Sequence, residues 1–213
     1  VSDESSVQTT GGGGISVFGS GGRAGIEASG LDAGAGTATL TAPTGVIREA
    51  GAGIDFAGSN VIINGELAPS SNAIGQAYAI GQVIIDGNVF FDSTDEFTVE
   101  LNGSEAYDQL RIIGPGRTVN LGGSTLNFNP FNLTPTPSDA FTIIDNVDST
   151  SSVSGIFDGL PEGATITIGV TEMYITYKGG LDSNDVVVQF NPPNLPPASQ
   201  VRRRWMPPRT RHR

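Results

Sequence analysis

The sequence predicts an all-β chain wound as a right-handed parallel β-helix, a β-solenoid of stacked coils with short disordered termini. Three observations carry that expectation. Brief runs in which apolar and polar residues alternate recur along the chain, the period-2 pattern of strands with one buried face. Glycine, 30 of 213 residues, stands at nearly every break between runs, where tight corners demand positive φ. The apolar complement is small and β-branched with only 7% aromatic residues. Regular short strands allow a sandwich, a barrel or a solenoid. The composition favours stacked coils, which repeat small and β-branched residues at similar positions.

The runs come in order. Ile15–Phe18, Gly25–Ala28, Thr37–Thr41, Gly45–Ile47, Gly53–Phe56 and Val61–Ile63 are separated by small-residue turns. A polar, Ser-rich connection spans Pro69–Tyr78, and Ile80–Phe91 follows with Asp86-Gly87 between two apolar halves. That dipeptide is a hairpin signal that serves equally as a solenoid corner. Phe97–Leu101, Leu110–Ile113, Thr118–Leu121, Leu126–Phe128, Phe141–Ile144, Ala164–Ile168, Met173–Tyr177 and Val186–Phe190 complete the series. No window offers the i, i+3, i+4, i+7 spacing of an amphipathic helix. The expected organisation is a disordered lead over 1–10, a β-solenoid domain over 11–190, and a Pro-rich linker with a basic disordered tail over 191–213.

Charge is distributed unevenly. Six of the 11 basic residues lie between Arg202 and Arg213, so the body through Gln200 holds five basic against 22 acidic residues, a net charge of −17. Such a surface repels nucleic acid and anionic membranes and attracts cations or basic partners. Only 15% of residues are charged, against about 25% in an average domain. Ser, Thr, Asn and Gly are therefore left to solvate the exposed faces, as in secreted β-proteins. The absence of cysteine excludes disulfides and thiolate metal sites. No apolar stretch is long enough to span a bilayer as a helix. The Val-Ser-Asp-Glu opening reads as that of a piece processed or excised from a longer polypeptide.

Two segments resemble known families. Gly30–Ala42, followed by Gly45-Val-Ile47 and Ala52–Phe56, resembles the coils of filamentous-haemagglutinin-like and autotransporter-type surface proteins. Tyr107–Leu110, Val119–Leu126, Phe141–Asn146, Val153–Gly163 and Tyr177–Val188 are similar, in that order, to the closing module of autotransporter-associated β-strand repeat proteins. The resemblance covers roughly residues 11–190. It implies a parallel β-helix passenger with an adhesive or surface role and no enzyme active site. The chain departs from that pattern after Asn191.

Candidate chemistry is sparse. Gly179–Asp185 is similar to the Gly-Gly-x-Gly-x-Asp calcium repeat, but Leu-Asp-Ser-Asn replaces the second half-turn and the motif occurs once, whereas calcium needs stacked copies. Asp182 and Asp185 are therefore expected to serve an Asx-rich turn. Asp92, Asp95 and Glu96, with Asp86 nearby, resemble a glycosidase carboxylate pair, and a solvated acidic turn explains them more simply. Polysaccharide lyases on β-helices use an Arg or Lys base beside acidic calcium ligands; Arg23, Arg48, Arg111, Arg117 and Lys178 lie beside no tight Asp cluster in sequence. His212, the one histidine, lies in the tail, which removes a Ser-His-Asp triad and a His-based metal site from the body. Gly11–Gly14 lacks the Lys-Ser/Thr of a phosphate loop and reads as a flexible approach to the first coil. The basic tail around Trp205 reads either as an arm for an anionic polymer or as an irregular end of the gene's reading frame.

The sequence thus leads to a non-enzymatic structural or adhesive module, extracellular or at a bacterial cell surface, with no catalytic, metal or cofactor residue assigned. The expected partner is an extracellular ligand such as a polysaccharide or a host or neighbouring cell surface, and not nucleic acid. A carbohydrate-binding or lyase-type β-helix domain is the alternative.

Overall fold

The computed structural model describes residues 4–10, 13–20, 24–28, 30–49, 55–69, 80–103, 105–130, 133 and 135–192. Among these there is no helix, and sixteen strands belong to one hydrogen-bonded sheet. In chain order they are β1 (Glu4–Thr10), β2 (Gly14–Ser20), β3 (Ala24–Ala28), β4 (Leu31–Asp32), β5 (Thr37–Glu49), β6 (Phe56–Leu67), β7 (Gln82–Phe90) and β8 (Glu96–Leu101). They continue with β9 (Gln109–Ile112), β10 (Thr118–Asn120), β11 (Thr125–Pro130), β12 (Ala140–Asn146), β13 (Ser152–Ser154), β14 (Thr165–Ile168), β15 (Thr171–Gly179) and β16 (Asp185–Gln189).

Pairing from β2 to β13 is parallel throughout and falls into three ladders. In the first, Ile15, Ala38, Val61, Val89, Val119 and Val153 are successive register partners on β2, β5, β6, β7, β10 and β13. In the second, Ile26, Ile47, Leu67, Phe97 and Leu126 align on β3, β5, β6, β8 and β11. In the third, Leu31, Phe56, Ile85, Ile112 and Asn146 align on β4, β6, β7, β9 and β12. The chain visits the ladders in the same cyclic order on every pass, and the long strands β5, β6 and β7 each bend from one ladder into the next.

Alternation sorts the side chains. Along β7, Val83, Ile85 and Val89 are fully buried while Gln82, Asp86 and Asn88 lie between them at the surface. Because register partners carry the same phase, apolar residues stack on apolar residues of the next pass and form one continuous core. Four phenylalanines, Phe56, Phe97, Phe141 and Phe157, are among its largest buried side chains. Phe97 and Phe157 stack with ring centroids 6.2 Å apart.

Asp86-Gly87 is a corner and not a hairpin. β7 runs through it, leaving the third ladder at Asp86 and joining the first at Asn88. A Cβ on Gly87 would lie 2.4 Å from the Gly58 carbonyl oxygen, so the close approach of two backbones requires glycine there. Gly122 is a second such corner, with φ +57 and a Cβ position 2.1 Å from the Phe91 carbonyl oxygen. Gly122→Ala is expected to lower stability by about 1–3 kcal/mol in a denaturant titration, because the obstructing atom is backbone.

The ends differ from the expectation. Residues 4–10, read as a disordered lead, form β1, which pairs antiparallel with β2 from Glu4↔Ser20 to Thr10↔Gly14. Of the glycine run read as a flexible approach, Gly13 lies in a turn and Gly14 pairs with Thr10, while Gly11 and Gly12 lie outside the described residues. Beyond β13 the parallel stacking stops. β16 pairs antiparallel with β12, and β15 and β14 follow antiparallel, covering the last pass with a meander. The Ser-rich connection over 70–79, Arg23, and the linker and tail over 193–213, with His212 and Trp205, lie outside the described residues.

Candidate functional site

Corner lengths shape a recess with a polar floor. Between the first and second ladders, β5 makes a corner at Ala42–Gly45, β6 turns within Gly65 alone, and the chain after β7 uses Asp92–Asp95. A short corner between two long ones leaves a recess of about 470 Å³ lined by Thr41, Thr44, Asn64, Glu66, Thr94 and Glu96, with Asp95 beneath.

Its carboxylates are engaged by the fold. Asp95 is only 2% exposed; its Oδ1 accepts the Gly65 N–H at 2.8 Å and its Oδ2 the Asp92 N–H at 2.6 Å. Glu66 accepts from the Thr98 hydroxyl at 2.5 Å, and Glu96 accepts from the Asn127 amide at 2.8 Å. Asp92 accepts from the Thr94 hydroxyl and N–H, which hold this exposed carboxyl below its ordinary range. Asp86 stands apart on the third ladder, paired with Arg117 at 2.7 Å. The four acidic residues singled out in sequence therefore do not converge. Nor are they all a solvated turn, since Asp95 is an internal corner brace.

Asp95 is one of a set that sequence reasoning missed. Asp55, fully buried, accepts the Ile84 N–H at 2.8 Å, and its other oxygen has no partner. Asp108, also fully buried, accepts from Gly81 N–H at 2.7 Å and Glu100 N–H at 3.0 Å. Asp185 accepts the Asn146 N–H at 2.9 Å. Each tethers the corner of one pass to a strand or corner elsewhere. The signal was present in the sequence: Asp55, Asp108 and Asp185 stand within two residues before the first inward apolar residue of a strand segment.

Gly179–Asp185 also has a structural task. Asn184, 7% exposed, donates from its amide to the carbonyls of Asp148 at 2.9 Å, Ser151 at 3.3 Å and Asn146 at 3.4 Å. The Asn146 amide donates back to the Asn184 carbonyl. The loop is thereby fastened to the 146–151 loop, and among the described residues no group of three or more acidic or histidine side chains is arranged to hold a metal ion.

Three arginines of the body are paired with carboxylates. Arg48, 4% exposed, meets Glu27 at 2.7 Å; Arg111 meets Asp145 at 3.6 Å; Arg117 meets Asp86. Glu27 and Arg48, like Arg111 and Asp145, are register partners on adjacent strands. Lys178 lies on the closing meander, exposed.

Tyr177 anchors the far end. Its hydroxyl donates to the Leu160 carbonyl at 2.6 Å and accepts the Phe157 N–H at 3.1 Å. Burial pushes its pKa up to about 12. Burial likewise raises the carboxyls of Asp55, Asp95, Glu100 and Asp185, against backbone N–H donors that pull Asp55, Asp95 and Asp185 the other way.

These directions fix a pH dependence. A carboxyl raised in the folded state contributes stability that is complete below its unfolded pKa of about 4 and is lost as pH rises through the folded value. Asp92 and Asp148 are lowered by Thr94 and Thr150 and act oppositely, losing their contribution as pH falls through their folded values. The melting temperature is therefore expected to rise on acidification from neutral towards about pH 4–5, helped by relief of the body's negative self-repulsion. At the alkaline end, the Tyr177 contribution is complete below about pH 10 and disappears as pH passes through about 12. A calorimetric pH series checks both limbs.

No known protein family, no curated protein and no solved structure matches the chain.

Proposed function

We propose that the chain is a right-handed parallel β-helix module whose work is structural and adhesive, displayed outside a bacterial cell or at its surface as part of a larger secreted protein. The cyclic passage through three parallel ladders carries this reading. A chain that returns to the same ladder once per pass is wound as a coil, and parallel crossovers of this kind are right-handed in the great majority of cases. The winding yields long flat faces with side chains at fixed spacing, suited to contacting extended partners.

The disposition of charge supports a scaffold over a catalyst. Catalytic carboxylates and bases need a shared cleft and distinct environments. Here Asp95, Asp108 and Asp185 hold backbone N–H groups, and Arg48, Arg111 and Arg117 each hold a carboxylate. A lyase base drawn from Arg48, Arg111 or Arg117 would have to leave such a pair. The test is to coat beads with the chain and present them to surface polysaccharides and to cells. Retention without release of soluble oligosaccharide is expected; unsaturated or newly reducing sugar products would contradict the reading.

A further inference from the structure

We propose that the outward face of the first ladder, from β2 through β5, β6, β7 and β10 to β13, binds an uncharged polysaccharide. The proposal rests on the adhesive reading above and names its surface and ligand class.

The decisive observation is a gap in the charge pattern. On the second ladder the outward residues include Glu27, Glu66, Glu96 and Glu100, and on the third Asp32, Asp86, Arg111 and Asp145. Outward positions of the first ladder carry none. One column reads Thr37, Asn60, Asn88, Thr118 and Ser152. The next reads Ser16, Thr39, Ile62, Phe90, Asn120 and Ser154, and a third holds Phe18, Thr41 and Asn64. In a body of net charge −17, six successive strands thus present a face of hydroxyls and amides around an apolar centre at Ile62 and Phe90.

Each component suits a neutral glycan. Hydroxyl and amide side chains both donate and accept, as sugar hydroxyls require of a partner. Phe90 and Phe18, half-buried and 36% exposed respectively, offer rings for the C–H faces of pyranoses. Six strands about 4.8 Å apart make a face about 24 Å tall, long enough for several sugar residues. The surrounding acidic surface repels uronate, sulfated or phosphate polymers but does not oppose an uncharged one.

Much of the face is also fixed in advance. The Asn88 amide donates to Ser59 O at 3.0 Å and Asn60 Oδ1 at 3.3 Å, while its own oxygen accepts the Thr118 N–H at 3.0 Å. Asn64 donates to the Thr41 hydroxyl at 3.1 Å, and Asn120 accepts the Gly122 N–H at 3.0 Å. Side chains already held lose little freedom when a ligand arrives.

The experiment is depletion of the full chain onto insoluble cellulose, chitin and β-1,3-glucan, with polygalacturonate as the anionic comparison. Binding to at least one neutral polymer is expected, unchanged at about 1 M salt, where the Debye length is near 3 Å. Phe90→Lys and Thr39→Lys should each weaken it about tenfold or more. Glu172→Lys, on the closing meander, should not, and melting curves confirm that each variant is folded. Several results would overturn the proposal. Salt-sensitive retention on polygalacturonate that Phe90→Lys leaves intact would remove this face while leaving an adhesive role standing. Self-association abolished by Phe90→Lys would make the face an interface between copies. Adhesion to cells without binding to any neutral polymer would eliminate the ligand class, and failure to adhere to anything would end the adhesive reading as well.

Discussion

Asn184→Ala lowers stability by about 2–4 kcal/mol in a denaturant titration, an unusually large loss for one polar residue. The side chain is 7% exposed, and its amide is shared among the carbonyls of Asn146, Asp148 and Ser151. Truncation leaves those acceptors facing a void with no donor, which costs their desolvation and not merely the bonds. The loss should fall on the closing meander first, because Asn184 and Asp185 join β16 to the loop after β12. Asn184→Asp should be at least as damaging at neutral pH, since a carboxylate would face three carbonyl oxygens, and should partly recover in acid as the carboxyl protonates and can donate once.

Ile143→Asp leaves the chain unfolded or aggregated at neutral pH. Ile143 is fully buried on β12, next to Ile144, whose register partner is Leu110. A lone buried carboxylate costs several kcal/mol, which is comparable with a typical total stability of about 5–15 kcal/mol. Ile168→Asp, at 1% exposure on the edge strand β14, should be damaging too, but more locally, because the parallel ladders do not depend on β14. Circular dichroism and melting of the two variants separate global from local loss; a soluble Ile143→Asp protein with unchanged melting would show that β12 is not core.

Period-2 alternation made the strands legible because each has one wet face and one dry face. Phe97–Leu101, Leu110–Ile113 and Val186–Phe190 all coincide with strands to within about two residues. Thr37–Thr41 and Gly45–Ile47, read as separate runs, prove to be two halves of β5 bent at the Ala42–Gly45 corner. Partner choice was less legible. Nothing local to Ser-Ser-Val-Gln-Thr-Thr says that residues 4–10 pair antiparallel with β2, since antiparallel and parallel strands share the same periodicity. The buried aspartates were missed for a related reason. A carboxylate in a turn reads as solvated until the backbone N–H it caps is known, and Asp95 and Gly65 are far apart in sequence. The uncharged face is likewise invisible until the register places Thr39, Ile62, Phe90 and Asn120 side by side.

Cross-linking of register partners tests the architecture most directly, and the natural absence of cysteine makes it clean. Three double-cysteine proteins are needed, one per ladder: Asn60→Cys with Asn88→Cys, Glu66→Cys with Glu96→Cys, and Arg111→Cys with Asp145→Cys. Adjacent strands lie about 4.8 Å apart, within the about 4.4–6.8 Å between Cα atoms that a disulfide tolerates. All three pairs should oxidise readily while the protein is folded, and Asn60→Cys with Asn120→Cys, two strands apart, should not. Formation of all three supports a chain that returns to each of three parallel ladders in turn. Failure of any one pair in folded protein, or equal cross-linking of the two-strand control, would contradict the winding on which the account depends.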